Sequence, residues 1–399
     1  MKIAFINTVV GYGSVGRIVY DLSKIPGVQG RIYFGRKTNN TDATAVKFTN
    51  FFANADQAIQ TYLFDKHAWT NAGDTRKLVE DLKVFRPDII HLHNLHGYYL
   101  DAPVLFSYLK ESGVPIVWTL HDCWTFTGHC AHYESAGCTQ WKTQCTKCPL
   151  LNTYPYTWNG RNTSLNFERK KALFTSIADQ TSLVVPSKWL EEQVAQSFLK
   201  SMHCTVIPTG IDLSIFRPSS SDFRRHYQLE NSKIILAVSS GWPAEKGYAD
   251  LLLLSSLLKN DERLVVVGVN SWQKKELEAH GAIGIRRTSS RGELAGIYSS
   301  ADVLINPTYG DTFPTVNLEA LACGCPVVTY RTGGSPEVLT SETGGVVECG
   351  AMSEALALIR TSHWNKKACI EKGQRYGRAR MLASYAALYE QRYNEGGGR

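Results

Sequence analysis

The sequence predicts an α/β protein of two domains, each a parallel sheet flanked by helices, and three observations predict it. Short apolar runs alternate with helical stretches along both halves of the chain. A glycine-bearing loop follows the first apolar run of each half, Gly11–Gly16 after KIAFIN and Gly241–Gly247 after KIILAV. The length of 399 residues exceeds what one ordinary core holds and suits two domains of roughly 150–200 residues each.

Composition narrows the class. No run of 18 or more apolar residues is present, so no spanning helix is expected, and a strand pattern opening at Ile3 leaves no room for a signal peptide. Residence in the cytoplasm is therefore the expectation. The formal net charge of +7 is carried by scattered basic residues. It suits an anionic partner such as a nucleotide or a membrane surface, and no nucleic-acid partner is expected.

In the first half, Ile3, Phe5 and Ile6 form a strand, Gly11, Gly13 and Gly16 a turn, and Arg17 to Lys24 a helix. Such a loop can bring backbone amides against phosphate, but its spacing is not the dinucleotide fingerprint, and a plain tight turn explains it equally well. Arg31–Phe34 is a second strand and 57–85 mostly helical. Ile89–Leu92 is a buried strand that brings His91, His93 and His96; alternate residues share a face, and structural or acceptor-binding roles are preferred to metal ligation. The run VPIVWTLHD ends in His121-Asp122, at the carboxyl end of a strand where functional residues of parallel sheets gather. Trp118, Trp124 and Phe126 can wall that position.

Between Asp122 and Asn166 the chain shows no sustained periodicity, and loops of that length are functional or held by something extra. Five of the ten cysteines fall between 123 and 148. Cys130, Cys138, Cys145 and Cys148, closing in CTKCP, suggest a structural Zn²⁺ site that staples the loop, against free thiols, a disulfide or an iron–sulfur cluster. Phe167–Ile177 is a helix whose Arg169, Lys170 and Lys171 suit a solvated face, with anionic lipid the alternative. A strand SLVVPS, a helix Lys188–Leu199 and a strand CTVIP complete this half.

The second half opens with the strand KIILAV, after which Lys246-Gly247 starts a helix and can meet a phosphate at its positive end. Arg263–Val269 is a strand, Arg291–Ser300 a helix and Ala301–Asn306 a strand leading into NPTYGDTFPTVNLEALACGCPVVTYRTGGSP. There Asp311 and Glu319 stand eight residues apart, with a helix beginning near Thr315 whose unpaired N–H groups face the Gly310–Thr315 loop. Amide donors for a diphosphate beside carboxylate acceptors for hydroxyls suit a nucleotide sugar. The plainer reading is that Asp311 caps the helix and Glu319 is solvated. Pro326–Tyr330 then reads as a buried strand, and Gly333-Gly334 as a tight turn; residues beyond 352 are helical, and the closing Gly-Gly-Gly-Arg is expected to lack regular structure.

This stretch resembles the donor signature of retaining glycosyltransferases of the GT-B fold, in the large family 4-like group of bacterial polysaccharide and lipid glycosyltransferases. Asp311 stands where that family has a first Glu, Glu319 matches the second, and Gly333, Gly334 and Glu337 match the tail. The resemblance implies two Rossmann-like domains with parallel sheets facing a deep cleft: residues 1–208 on the acceptor side with the cysteine-rich insert at about 123–165, 209–375 binding the nucleotide sugar, and 376–395 a helix crossing back. It further implies that Glu319 binds the ribose, that Asp311, Phe313, Pro314 and Thr315 hold the donor sugar through side chain and amides, and that Gly13, Gly16, Arg17 and Lys246 meet the diphosphate. His121, Asp311 and Lys246 would be the catalytic residues. Gly241 stands where the family has an Arg, for which Arg17, Arg287 or Arg331 could substitute, and Thr209 replaces a usual Asn.

The implied reaction moves a sugar from a nucleoside diphosphate, UDP preferred and GDP the alternative, to a hydroxyl of a saccharide or polyprenyl-linked oligosaccharide in capsule or exopolysaccharide synthesis. Anomeric retention by front-face displacement is expected, with no catalytic metal because no Asp-x-Asp motif occurs. A peripheral position at the inner membrane face would suit such an acceptor. An epimerase on the same scaffold, or a nucleotide-sugar-binding protein without catalysis, are the alternatives; acceptor dependence and donor turnover discriminate them.

Overall fold

The computed structural model describes residues 1–39 and 44–396; residues 397–399, for which no regular structure is expected, lie outside them. Two compact units form, Met1–Ile207 together with the chain from Leu382 onward, and Pro208–Met381.

The first unit contains β1 (Lys2–Asn7), α1 (Gly13–Leu22), β2 (Gln29–Phe34), β3 (Ala45–Lys47), α2 (Phe51–Phe64), α3 (Ala72–Phe85), β4 (Ile89–Leu92), α4 (Ala102–Ser112), β5 (Ile116–Thr119), α5 (Thr163–Thr175), β6 (Thr181–Val185), α6 (Lys188–Gln196) and β7 (His203–Val206). Its seven strands lie in the order β3-β2-β1-β4-β5-β6-β7, every pair parallel. Helices cover both faces of such a sheet, which is why the β1, β4, β5 and β6 sequences are apolar runs and not alternating ones.

The stretch 57–85 is not one helix. α2 starts earlier, because the Asn50 side chain accepts the Ala53 N–H as an N-cap. It stops at Asp65, whose left-handed φ of 51° ends the helical path, and α3 resumes at Ala72. α1 likewise begins at Gly13, ahead of the expected Arg17.

The second unit contains α7 (Phe223–His226), β8 (Lys233–Val238), α8 (Tyr248–Leu257), β9 (Glu262–Val267), α9 (Ser271–Ala279), β10 (Ile283–Ile285), α10 (Arg291–Ser300), β11 (Val303–Asn306), α11 (Thr315–Ala322), β12 (Val327–Tyr330), β13 (Gly344–Val347), α12 (Met352–Thr361) and α13 (Lys366–Gln374). The sheet order is β10-β9-β8-β11-β12-β13, again parallel throughout. Period-two alternation divides β8 between two cores: Ile234, Leu236 and Val238 pack into one, Ile235 and Ala237 into the other. A last helix, α14 (Arg378–Glu395), starts in the second unit and from Leu382 belongs to the first. There Tyr385 shares a 2.9 Å hydrogen bond with Thr119, and Tyr389 one of 2.7 Å with His91.

The insert after β5 has no strand or α-helix before α5, only 3₁₀ turns, and it is held by aromatic packing. Trp124, Phe126 and Trp141 are fully buried; Trp141 meets Phe126 and Tyr133 at centroid distances of 5.2 and 4.8 Å. Lys170 of α5 is the second fastener. It is 1% exposed, donates from Nζ to the carbonyls of Trp124 and Thr127 at 2.7 and 3.0 Å, and sits 3.5 Å from the Trp124 ring centroid. The expectation of a solvated or lipid-facing Lys170 is therefore overturned, because the insert folds over that face of α5; Arg169 and Lys171 do remain exposed.

Candidate active site

In open parallel sheets, ligands sit outside the carboxyl ends of the strands where the strand order reverses. In the second unit that point lies between β8 and β11. The loop after β8 delivers Lys246, on a short 3₁₀ turn just before α8, and the loop after β11 delivers Asp311. Lys246 Nζ lies 2.8 Å from Asp311 Oδ2 and 3.4 Å from both Thr308 Oγ1 and the Gly310 carbonyl. Gly247 permits this approach: its φ is +77°, and a Cβ there would stand 2.2 Å from the Pro307 carbonyl oxygen.

Asp311 does not cap α11. Its Oδ1 accepts the Phe313 N–H at 3.1 Å, and the N-cap position of α11 is Pro314, which offers no side-chain bond. The positive end of α11 thus lies beside the Lys246–Asp311 pair without a side-chain cap. The Gly-Gly turn closes on the same loop, since Gly334 N–H donates to the Asp311 carbonyl at 3.1 Å. Gly333 has φ +53°, and a Cβ there would fall 1.8 Å from that carbonyl oxygen. Gly333→Ala is therefore expected to cost about 1–3 kcal/mol and to displace Asp311. Thermal unfolding and nucleotide binding measured on the variant check this; unchanged values in both would refute the steric argument.

Glu319, half-buried on α11, accepts the Tyr298 hydroxyl at 3.1 Å. Burial, and then the Glu319 charge, raise the Tyr298 phenol well above its ordinary value, so it remains a donor. No sequence motif marks Tyr298. Phe313 and Pro314 are buried, with Phe313 5.8 Å from the Tyr376 ring, so this loop presents backbone, not those side chains. Thr315 opens α11. Space beside Gly241 is open within 4 Å, and of the arginines considered as substitutes, Arg331 is bonded to Glu348 at 2.6 Å.

The first unit reverses its strand order between β1 and β4. Gly11 and Gly13 have φ of 65° and 67°, and Gly16 lies so close that a Cβ would meet Val9 at 3.0 Å and the Gly11 nitrogen at 3.3 Å. Arg17, exposed, folds its Nε back onto the Gly13 carbonyl at 3.0 Å. Thr8 ties this loop to the end of β4 by donating to the His96 carbonyl at 2.6 Å.

The histidines divide by role. Both ring nitrogens of His91 are engaged, with Tyr389 at 2.7 Å and Thr119 at 2.8 Å, so it is structural. His93 Nδ1 lies 3.1 Å from His121 Nε2, with the rings stacked. Burial lowers both, His121 to about 4, so both rings are neutral at pH 7. The other ring nitrogen of His93, Nε2, is buried with no hydrogen-bond partner among the described residues. His96 bonds Asp122 at 2.7 Å and Tyr154 at 2.9 Å. Burial pushes the Asp122 carboxyl up, but the His96 partner outweighs it and holds it near 2. Asp122 is an anchor.

Cys130, Cys138, Cys145 and Cys148 do converge, lining one small cavity with His129 and Trp141. All ten cysteines are free thiols, so the disulfide alternative fails. The zinc expectation finds no support: among the described residues, no group of three or more His, Cys, Asp or Glu is placed to hold a metal ion. Cys145 accepts the Gly128 N–H at 3.3 Å, and the neighbouring Cys148 thiol, then burial, raise the Cys130 thiol well above its ordinary value.

Comparison with known proteins follows the same division. Residues 45–215 match the family model Glycosyltransferase Family 4, and 232–360 match Glycosyl transferases group 1. WcaC of Escherichia coli (strain K12), named provisionally as a colanic acid biosynthesis glycosyl transferase, is 24% identical over 75% of this chain and 72% of its own. Several other curated relatives are matched over less than two thirds of their length. Sucrose-phosphate synthase from Thermosynechococcus elongatus superposes with a TM-score of 0.69 at 18% identity, covering 99% of this chain and 100% of that one. HepE of Anabaena, solved in complex with UDP, gives 0.67 at 14% identity over 98% and 100%. At these identities the solved structures show the fold. With one glycosyltransferase segment in each unit and neighbours of that architecture along nearly its whole length, the chain is a family 4-like glycosyltransferase of the GT-B fold.

Proposed function

We propose that this protein transfers a sugar from a nucleoside diphosphate sugar, UDP-linked in preference to GDP-linked, to a hydroxyl of a saccharide or polyprenyl-linked oligosaccharide in surface polysaccharide assembly, with retention of the anomeric configuration. The observation that carries the reading is the Lys246–Asp311 pair at the strand-order reversal of the second sheet, beside the uncapped start of α11. Lys246 and the loop amides would stabilise the departing diphosphate, which is where charge develops as the anomeric C–O bond breaks. Asp311 would accept from hydroxyls of the donor sugar, and Glu319 from those of the ribose. His121 is assigned hydrogen bonding to a substrate hydroxyl as a neutral imidazole. Arg17, Gly13 and Gly16 are assigned to the diphosphate.

Support for UDP comes from HepE, crystallised with it, and support for a polysaccharide product from the name of WcaC. A front-face displacement without a metal ion in catalysis, activity in the cytoplasm and attachment to a membrane surface belong to the same proposal. Among the described residues, no helix is long and apolar enough to cross a membrane.

Thermal unfolding in the presence of UDP, GDP, ADP and their sugar conjugates tests the donor, because a ligand of the native state raises its midpoint. One nucleotide and its conjugate should stabilise the protein. Glu319→Ala is expected to remove that shift and weaken donor affinity about 10–100-fold, a loss of roughly 1.4–2.7 kcal/mol. Retained affinity in that variant would defeat the assignment of Glu319.

A further inference from the structure

α2 is turned inside out. Its inward face is polar: the Gln57 amide donates to the carbonyls of Thr70 and Leu100 at 3.0 and 2.7 Å, and the Asn54 amide to the Gly35 carbonyl at 2.9 Å. Its outward face is apolar, with Phe51 and Phe52 75% and 81% exposed and Ile59, Tyr62 and Leu63 beside them along the helix. A surface helix of a globular protein shows the reverse arrangement. The face continues across the chain, because Trp158, 74% exposed, donates its backbone N–H to the Tyr62 carbonyl at 2.7 Å. Clustered, highly exposed aromatic side chains of this kind mark an interaction site.

We propose that this face of the first unit seats the protein on an anionic lipid bilayer. The rim chemistry selects that occupant. Lys66 lies with its Nζ 5.5 Å from the Phe64 ring. Arg161 is exposed on the turn Gly160–Asn162, which packs against α2, where the Asn162 amide bonds the Phe64 carbonyl at 2.6 Å. Asp56 is the single charged residue within α2. Phe side chains with Trp and Tyr beside them and cations at the edge suit an interfacial helix lying along headgroups. A second copy of the same face would oppose cation to cation. α5, the helix whose basic run suggested lipid contact, does not carry this surface, since Lys170 is spent inside.

The proposal deepens the lipid-linked acceptor reading, yet vesicle binding needs neither donor nor acceptor, so the two can fail separately. The full chain is sedimented with vesicles of phosphatidylglycerol and phosphatidylcholine, and with phosphatidylcholine alone. It should pellet with the anionic vesicles, less so at high salt. The double substitution F52E/L63E should weaken this roughly tenfold or more while leaving the thermal midpoint and any nucleotide-induced shift as in the parent. Binding of the double variant equal to the parent overturns the proposal. So does a parent that stays in the supernatant at every lipid concentration, or a parent dimer on gel filtration that the two substitutions dissociate.

Discussion

Lys246→Ala is expected to lower kcat/KM for sugar transfer about 10²–10³-fold, the cost found when one preorganised electrostatic group is removed from a developing anion. The ammonium is held in place beforehand, with Asp311 at 2.8 Å and Thr308 and the Gly310 carbonyl 3.4 Å away. Both partners are about a quarter exposed, 29% and 26%, so the pair contributes little to stability, about 0–1 kcal/mol. The thermal midpoint should therefore stay near that of the parent while initial rates collapse. Lys246→Arg retains charge in a wider, planar group and should recover part of the rate only. Rates within threefold of the parent for the alanine variant would remove Lys246 from the reaction.

The second large effect concerns stability and pH. Burial lowers the Lys170 ammonium from its ordinary 10.5 to about 7, against the opposing pull of Asp65. The native state then gives up this proton near pH 7 and the unfolded state near 10.5, so between them the unfolded chain binds more protons and stability rises with pH. Conversely, the contribution is lost as pH falls through 7. Lys170→Met removes the titration while keeping an unbranched chain of similar length. Relative to that variant, the parent should gain on the order of 1 kcal/mol per pH unit above neutrality. Denaturant unfolding of both proteins at pH 7, 8 and 9 reads the difference directly; a gap that does not change with pH would mean that Lys170 keeps its proton in both states.

The sequence carried most of the scaffold because parallel strands buried on both faces write themselves as apolar runs, KIILAV and VLIN among them. It also brought Asp311 and Glu319 to the right element, since strand, loop and helix are contiguous there. What it did not carry depends on partners distant along the chain. Lys170 looks like one of three exposed cations in ERKK until the insert is laid over it. Tyr298 gains meaning only beside Glu319. The start of α2 was within reach, as Asn50 before a helix is a capping signal, but the outward orientation of Phe51 and Phe52 depends on which face the rest of the unit covers. The cysteine spacing correctly implied convergence, whereas ligand geometry needs directions of Sγ atoms that spacing does not specify.

α14 also has a bearing on how the protein comes into being. His91 and Thr119, at the centre of the first sheet, take the hydroxyls of Tyr389 and Tyr385 as partners. Those tyrosines follow the whole of the second unit in the chain. On a ribosome, the first unit's strands emerge early, but two of their buried polar groups must wait until the second unit has been translated. The second unit, continuous from Pro208 to Met381, has its own core available before then. The unit begun first is thus completed only after the second has been made, and a chain that stops before this helix leaves His91 and Thr119 without these two hydroxyl partners.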